Sequence, residues 1–331
     1  MLFSLIVPVY NRPDEVADLL ESLAAQTDRG FELILVEDGS TIPCRDITER
    51  YAGKVDIRYF MRPNEGRSIA RNYGMQQARG DYFVFVDSDC ILPPDYFESL
   101  RRSLAESWAD CFGGPDAAHE SFTDTQKAIN FAMTSFLTTG GIRGGKVQME
   151  KFVPRTFNMG FARRVWERTG GFREMFSEDI DMSTRIRQAG YAPQLIRDVR
   201  VFHKRRGNLA KFWRQVHVFG MSRITLQLLY PGSMKAVHWM PAIFTIGTVA
   251  LILLGIFVSP WWVLPLGVYI AALWISAIIS TRSLKIGTMA VAASMVQLFG
   301  YGTGFIRAYV WKILLRHGRD EAQEIAMRKG K

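Results

Sequence analysis

Two carboxylates stand at the end of a short apolar segment, and their spacing predicts a cation site. Residues 84–86 are apolar and are followed at once by Asp87, Ser88 and Asp89. Such a run is typical of a buried strand, and parallel strands present ligand-binding groups at their carboxyl ends. Two neighbouring acids repel each other unless a cation lies between them, and their oxygens suit Mg²⁺ or Mn²⁺. The alternative is a solvated turn, where Asp and Ser are common.

The sequence up to this segment alternates between strand and helix patterns. The predicted strands cover residues 3–7, 31–36, 57–61 and a segment ending at Asp87, and the predicted helices cover residues 13–25, 44–52 and 67–78. This alternation favours a mostly parallel α/β sheet with helices on both faces. Polar residues at the ends of the first two strands, at 8–11 and 37–38, are therefore expected to lie close to Asp87.

Three polar residues near these strand ends are candidates for contacts with a bound nucleotide. Asp38 offers a carboxylate to a base or a ribose hydroxyl, or stabilises a turn before Gly39. Arg67 and Arg71 are four residues apart, which places them on one helical face. That face either meets a diphosphate or is an ordinary solvated surface.

A second acidic group occurs later in the chain. Glu178, Asp179 and Asp181 stand at the start of a predicted helix over residues 180–189. Acids are favoured there by the helix dipole, and the functional alternative is that one of them is a general base. A glycine-rich segment at residues 139–146 is interpreted as a mobile loop over the site or a flexible connection.

Other sequence features exclude some classes of protein. The first predicted strand is not followed by a Gly-x-Gly-x-x-Gly motif, and the sequence has no Gly-Lys-Ser/Thr loop, which disfavours dinucleotide and P-loop sites. The cysteines are Cys44, Cys90 and Cys111, an odd number without a Cys-x-x-Cys pair. This pattern favours a reducing compartment over a disulfide framework. The apolar N-terminus has no preceding basic segment, so it is interpreted as a strand rather than a signal peptide.

Five segments in order resemble the motifs of family 2 glycosyltransferases. They are residues 5–11, 36–40, 71–74, 87–89 and 178–181, and the resemblance covers about residues 1–207. It implies a GT-A fold, a nucleotide-diphosphate sugar donor, a divalent cation (Mg²⁺ or Mn²⁺) and inversion at the anomeric carbon. It also implies an enzyme of polysaccharide or glycolipid synthesis without a nucleic-acid partner.

The same resemblance assigns roles by position. Asp179 would be the catalytic base with Glu178 beside it. Asp89 would be the main metal ligand, aided by Asp87 and by His203, for which an interfacial structural role is the alternative. The donor site would be formed by Pro8, Tyr10, Asp38, Arg67, Arg71, Asp87, Asn158 and Gly160.

Two departures from related subclasses narrow the expected activity. Processive synthases carry Gln-x-x-Arg-Trp on an interfacial helix, and the comparable residues 212–217 read Phe-Trp-Arg-Gln-Val-His, which favours transfer of a single sugar. Polyprenyl-phosphate sugar synthases usually show Asp-Ala-Asp-Leu-Gln, and residues 87–91 read Asp-Ser-Asp-Cys-Ile. This subclass, a catalytically silent nucleotide-sugar-binding scaffold and a nucleotidyltransferase are the alternatives. Joint retention of Asp38, Asp89 and Asp179 speaks against the scaffold.

The last third of the chain predicts a membrane region. The mean hydropathy of +0.01 averages a charged part with a largely apolar region at residues 238–315. Residues 208–232 are interpreted as an amphipathic interfacial helix, or else as a helix that packs on a domain. Residues 239–258 and 261–279 are long enough to span a bilayer, and Trp239, Trp261 and Trp262 fit its interfaces.

The orientation follows from the positive charges. Arg282 and Lys285 place their loop in the cytoplasm, and the net charge of +9 is attributed to anionic lipid at that surface. Residues 286–315 form either a third span or a kinked or re-entrant hairpin, and the hairpin is preferred because it keeps the basic tail at residues 316–331 inside. We expect a multi-pass protein of a bacterial inner membrane, with its catalytic domain in the cytoplasm and a lipid-linked saccharide acceptor.

Overall fold

The structure, a computed structural model, describes residues 1–117, 122–140, 152–204 and 206–327. The described chain forms two units, one within residues 1–117 and 152–204 and the other within residues 122–140 and 206–326. Residues 141–146 of the predicted glycine-rich loop lie outside the described residues. The chain crosses between the two units more than once, because residues 122–140 belong to the second unit. The predicted domains had a single boundary after residue 207.

The secondary structure elements follow in chain order. They are β1 (Phe3–Val9), α1 (Pro13–Ala24), β2 (Phe31–Asp38), α2 (Arg45–Tyr51), β3 (Ile57–Arg62), α3 (Arg67–Gln77), β4 (Tyr82–Phe85), β5 (Cys90–Ile91), α4 (Tyr96–Glu106), β6 (Cys111–Gly113), β7 (Asp116–Ala117), α5 (Asp124–Thr134), α6 (Phe136–Thr139), β8 (Met159–Ala162), α7 (Arg163–Thr169), α8 (Glu178–Gln188), β9 (Gln194–Leu195), β10 (Val201–His203), α9 (Leu209–Leu229), α10 (Ala236–Phe257), α11 (Leu264–Thr281), α12 (Leu284–Ala308) and α13 (Gly318–Met327).

The first unit is built on a mostly parallel sheet, as predicted. The strand order is β3-β2-β1-β4-β8-β6-β9, and β8 is the strand that runs antiparallel to both of its neighbours. Strands β1, β2 and β4 are almost entirely buried, which explains why they are continuously apolar rather than alternating. Because β4 ends at Phe85, Asp87 and Asp89 lie in the turn that follows the strand rather than within it.

A second, smaller sheet of this unit has the order β5-β10-β7. Strand β10 pairs antiparallel with β5, and the pairing places His203 opposite Cys90. Strand β10 is short and ends at His203. The predicted helix over residues 180–189 begins at Glu178, so the acids at 178 and 179 lie in its first turn.

The second unit is helical. Helices α5 and α6 follow each other directly and are separated at Ser135. Helix α9 packs along α12, and the interfacial position predicted for residues 208–232 stays a prediction. By length and hydropathy, three helical segments could cross a membrane: Ala236–Phe257, Pro260–Thr281 and Leu284–Leu314.

The kinked or re-entrant hairpin predicted for residues 286–315 has no counterpart in a break within residues 284–308. Helix α12 continues without a break through Gly300, Gly302 and Gly304 and passes into a π-helical turn at Tyr309–Leu314. The glycines allow close helix contacts instead, since a Cβ on Gly304 would lie 2.0 Å from the carbonyl oxygen of His217 in α9. Small residues at such positions let two helix backbones approach.

Candidate active site

Asp89 and His203 form the centre of the predicted cation site. The Nε2 atom of His203 lies 3.1 Å from Oδ1 of Asp89, and the stacked ring of Phe157 lies 4.9 Å from the imidazole, centre to centre. Asp89, Cys90 and His203 each offer one potential ligand atom, and these atoms lie within 4.8 Å of one another. This donor set fits a divalent cation that takes its remaining ligands from water and phosphate.

Cys90 is the weakest ligand of the three. Burial, reinforced by the charges of Asp89 and Asp87, raises the pKa of its thiol well above the ordinary value. The protonated Sγ instead lies 3.5 Å from the carbonyl oxygen of Phe157, to which it donates. Because the thiolate is the form that binds metals, Asp89 and His203 are the better ligands.

Arg71 joins the turn after β4 to the first turn of α8. Its guanidinium is 1% exposed and donates to Oδ1 of Asp87 at 2.7 Å and to Oε1 of Glu178 at 2.8 Å. Asp87 is therefore held by an arginine in this structure, and the structure does not place it among the Asp89 and His203 ligand atoms. The pairing brings the predicted metal and base segments into one site.

Arg67, the other arginine predicted to face a diphosphate, is half exposed. Its Nε atom lies 2.8 Å from Oε1 of Glu178. Burial lowers the pKa of its guanidinium, but the negative charges of Glu178, Asp87 and Asp179 raise it by more than burial lowers it. The pKa of Arg67 is therefore raised. Arg67 thus presents a permanently charged, accessible cation at the site, whereas Arg71 is enclosed by its two carboxylate partners.

The three acids at the start of α8 have different surroundings. Glu178 is 2% exposed and paired with Arg67 and Arg71. Asp181 is fully buried, and Arg173 and Arg185 lie 3.0 and 2.9 Å from its carboxylate oxygens.

Asp179 makes the loosest ion pair of the three. Arg155 approaches its Oδ2 to 3.4 Å, and its Oδ1 accepts from the backbone of Ile180. Its carboxylate is therefore the least tightly held of the three. Sequence reasoning missed Arg155, because a single arginine in a loop carries no pattern.

Asp38 has a structural role at the site. Its carboxylate accepts from the backbone N–H groups of Glu65 and Gly66, at 2.8 and 3.0 Å. These contacts hold the turn that starts α3, in which Gly66 has a φ of +97°. Asp38 thus stabilises a turn, as the alternative interpretation predicted. The turn is the one before α3, whereas the sequence suggested the turn before Gly39.

The residues after β1 form an exposed edge. Tyr10 is 50% exposed, which is compatible with stacking on a nucleoside base, and Pro8 is partly buried within β1. Asn11 has a φ of +53°, and its Oδ1 accepts from the backbone of Thr41 and Ile42. These bonds tie the loops after β1 and β2 together.

Asn158 and Gly160 are buried in the first unit. Asn158 accepts from the hydroxyl of Tyr96 at 2.7 Å, and its Nδ2 donates to the carbonyl oxygen of Val199 at 2.7 Å. A Cβ on Gly160 would lie 2.3 Å from the ring of Phe112. In this structure both residues shape the packing behind the site, and a direct donor contact stays a prediction.

Two further acids near the site are Glu15, which was not singled out from the sequence, and Glu37, which was expected at the end of the second strand. Glu15, in the first turn of α1, has a raised pKa because it is partly buried and lies near the charge of Asp89. Glu37 is fully buried and accepts from the backbone of Cys44 and the hydroxyl of Tyr59. It fixes the loop after β2 beside Asp38. The position of Glu15 had no spacing that distinguishes it from other acids.

These features agree with comparison to known proteins. The family described as Glycosyl transferase family 2 matches residues 4–179, more than half of the chain. The chain therefore belongs to glycosyl transferase family 2.

Among curated relatives, the "Putative teichuronic acid biosynthesis glycosyltransferase TuaG" of Bacillus subtilis is 34% identical over 133 residues. The match covers 39% of this chain and 52% of that relative. The chain thus spans about half the length of this relative.

Solved structures show the fold. A mannosyltransferase from Pyrobaculum calidifontis, in complex with GDP-Man and Mn²⁺, matches with a TM-score of 0.54 and 17% identity over 95% of this chain and 87% of that one. S. aureus TarS 1-349 in complex with UDP-GlcNAc matches with a TM-score of 0.50 and 19% identity over 92% and 91%. The predicted family and GT-A fold are confirmed.

Proposed function

We propose that this chain is an inverting glycosyltransferase that moves one sugar from a nucleotide-diphosphate sugar to a hydroxyl group. The observation that carries the proposal is the Arg71 bridge. It joins Asp87, two residues before Asp89, to Glu178, the neighbour of Asp179. A cation-binding carboxylate and a loosely paired acid are thereby held in one site.

The donor diphosphate is the group that this site has to neutralise. Asp89 and His203 would hold a divalent cation, Mn²⁺ or Mg²⁺, which when bound stabilises the charge of the departing diphosphate. The exposed guanidinium of Arg67 adds a second positive charge. A UDP-sugar is the proposed donor, and the TarS complex with UDP-GlcNAc makes that class the first to test.

Asp179 is the proposed base. An acceptor hydroxyl is a poor nucleophile until a carboxylate takes its proton, and Asp179 is the acid of α8 with the longest ion-pair contact. The acceptor oxygen attacks the anomeric carbon as the bond to the diphosphate breaks on the opposite face, which inverts the configuration. The shorter ion pairs of Glu178 and Asp181 suit them to positioning.

The proposed acceptor is a lipid-linked saccharide at the cytoplasmic face of a bacterial inner membrane. The long apolar helices support a membrane location. The name of TuaG supports a role in cell-envelope polysaccharide synthesis. Holding both substrates at the membrane surface would favour attack through orientation.

Loss of the carboxylate at position 89 should remove cation-dependent donor binding. We expect wild-type protein to bind a UDP-sugar at least about 10-fold more tightly with Mn²⁺ than without it, and Asp89→Ala to lose this difference, because a metal ligand is gone. Isothermal titration with UDP- and GDP-sugars measures the effect. Asp46→Ala, an exposed acid in α2, is the matched control. Equal affinity of wild type and Asp89→Ala in all conditions would contradict the metal assignment.

The acceptor assignment has a separate test. Detergent-solubilised protein should transfer sugar to a lipid-linked saccharide with a kcat/KM at least about 10-fold higher than to the same glycan without lipid, because the lipid orients the acceptor. Radiolabelled donor and both acceptors measure this ratio. Equal use of the free glycan would show that the apolar helices only localise the enzyme.

A further inference from the structure

The order of contacts along α12 is incompatible with three successive spans. In such an arrangement the first and third spans point the same way, so later residues of α10 would meet later residues of α12. The structure has the reverse order. The ring of Trp239 lies 4.9 Å from Phe305 and 5.3 Å from Tyr309, whereas Phe244, further along α10, lies 5.4 Å from Phe299.

Helix α11 also runs against the direction of α12. Tyr269 and Met295 pack against the same apolar cluster. Further along α11, Trp274 donates to Thr288 at 3.0 Å, and Ile278 would lie 2.6 Å from a Cβ on Gly287. Yet α10 and α11 are joined by a short turn at Pro260–Val263, and a Cβ on Gly255 would lie 2.5 Å from Val263. The two legs of a hairpin run in opposite directions. They therefore cannot both be antiparallel to a third helix that is aligned with the hairpin.

Helix α12 must therefore lie across the open end of the hairpin. The contact of α10 at Phe305 and the contact of α11 at Thr288 are separated by almost five helical turns, about 25 Å along α12. Toward the tip the two legs leave α12. None of residues 249–272, all of them described, is buried, and Phe257 and Trp261 are 79% and 78% exposed.

The hairpin legs have the length and surface of membrane spans. Helix α10 has 22 residues, which is about 33 Å, and a bilayer core is about 30 Å thick. Helix α10 and the segment Pro260–Thr281 are both more hydrophobic than the segment that contains α12. Trp261 and Trp262 at the tip are residues that favour a membrane interface.

Helix α12 is instead accompanied by a charged helix. It runs in the same direction as α9, because His217 contacts Thr303 at 3.2 Å and Thr225 accepts from Lys312 at 2.8 Å. Helix α9 carries Lys211, Arg214 and Arg223. Moving α12 into the hydrocarbon core would carry these charges with it, and charged side chains are costly there.

We propose that the α10–α11 hairpin crosses the bilayer and returns, and that α12 lies with α9 on the side where both legs begin and end. The partner of the exposed hairpin surface is the acyl core of a bilayer. The residues before α10 and the residues after α12 are then on the same side. The basic residues after α12 keep the cytoplasmic position that the positive-inside tendency favours, without a re-entrant segment.

Cysteine accessibility tests this topology. The native cysteines are buried, so the wild-type protein should give little labelling with a membrane-impermeant maleimide. Three single variants place a new thiol at the hairpin tip (Ser259→Cys), in the last turn of α11 (Ser280→Cys) and in α13 (Gln323→Cys). In bacterial spheroplasts we expect Ser259→Cys to be labelled without permeabilisation, and the other two to gain at least about 10-fold labelling only after it.

Each other outcome overturns the proposal. Labelling of Gln323→Cys together with Ser259→Cys, before permeabilisation, would mean that α12 crosses the bilayer. Shared accessibility of all three variants, or no labelling of Ser259→Cys under either condition, would mean that the hairpin does not cross. Size-exclusion chromatography of each variant in detergent confirms that it is folded before labelling is interpreted, and a variant that aggregates is replaced by one at Pro260, Arg282 or Glu324.

Discussion

The Asp179→Asn variant is expected to bind the donor as the wild type does and to lose about 10²- to 10⁴-fold in kcat, the usual contribution of a positioned general base. The amide keeps the shape of the carboxylate but cannot accept the acceptor proton. Donor binding should persist, because the Asp89 and His203 pair and Arg67 are unchanged. Single-turnover kinetics with saturating donor measures the chemical step directly.

The matched control for this variant is Asp198→Asn, at an exposed position of the same unit. It should leave both donor affinity and kcat within about twofold of wild type, because surface substitutions away from a site are usually neutral. If Asp179→Asn turns over normally, the base is another group, and Glu178 is the first to examine. If Asp179→Asn also loses donor binding, the residue has a role in holding the donor and its assignment as a base alone is wrong.

The Arg71→Met variant is expected to lose both stability and transfer. Arg71 is 1% exposed and holds two carboxylates, of which Glu178 is 2% exposed. Removing one partner of a buried pair leaves an uncompensated charge, which typically costs about 3–5 kcal/mol. Denaturant unfolding of the detergent-solubilised protein, followed by a probe in the first unit such as Trp108 fluorescence, measures the change in the free energy of unfolding.

The control is Arg12→Met, which removes the same group from the exposed pair with Glu15. An exposed pair contributes about 0–1 kcal/mol, so this variant should unfold close to wild type. The double variant Arg71→Met/Glu178→Leu should recover part of the lost stability without recovering transfer, because the buried charge is gone but the link to Asp87 is not restored. An Arg71→Met protein as stable and active as wild type would show that the bridge positions nothing.

Several features of this protein are determined by local sequence. Strands β1, β2 and β4 are continuous apolar runs because they are buried on both faces, and the helices between them carry regular apolar spacing. Both periodicities are properties of neighbouring residues, so they predicted the mostly parallel sheet and the position of Asp89 after a central strand. The ordered motifs similarly sufficed to predict the family, which the match over residues 4–179 confirms.

Contacts between distant parts of the chain were decided by the tertiary structure. Only the antiparallel pairing of β10 with β5 brings His203 to Asp89, and only the docking of α8 on α3 sets Arg71 against Glu178. Arg155 and Glu15 reach the site in the same way. Composition and spacing cannot predict such neighbours, because their partners lie far away in the sequence.

The membrane region shows the same division. Length and hydropathy identify α10, α11 and α12 equally as candidate membrane spans. Both quantities depend only on the residues of a segment and not on what surrounds it in the fold. The glycines at 300, 302 and 304 are the points of close contact of α12 with α9 and α10. The direction of α12 relative to the hairpin depends on side-chain packing along its whole length, and that packing exists only in the folded protein.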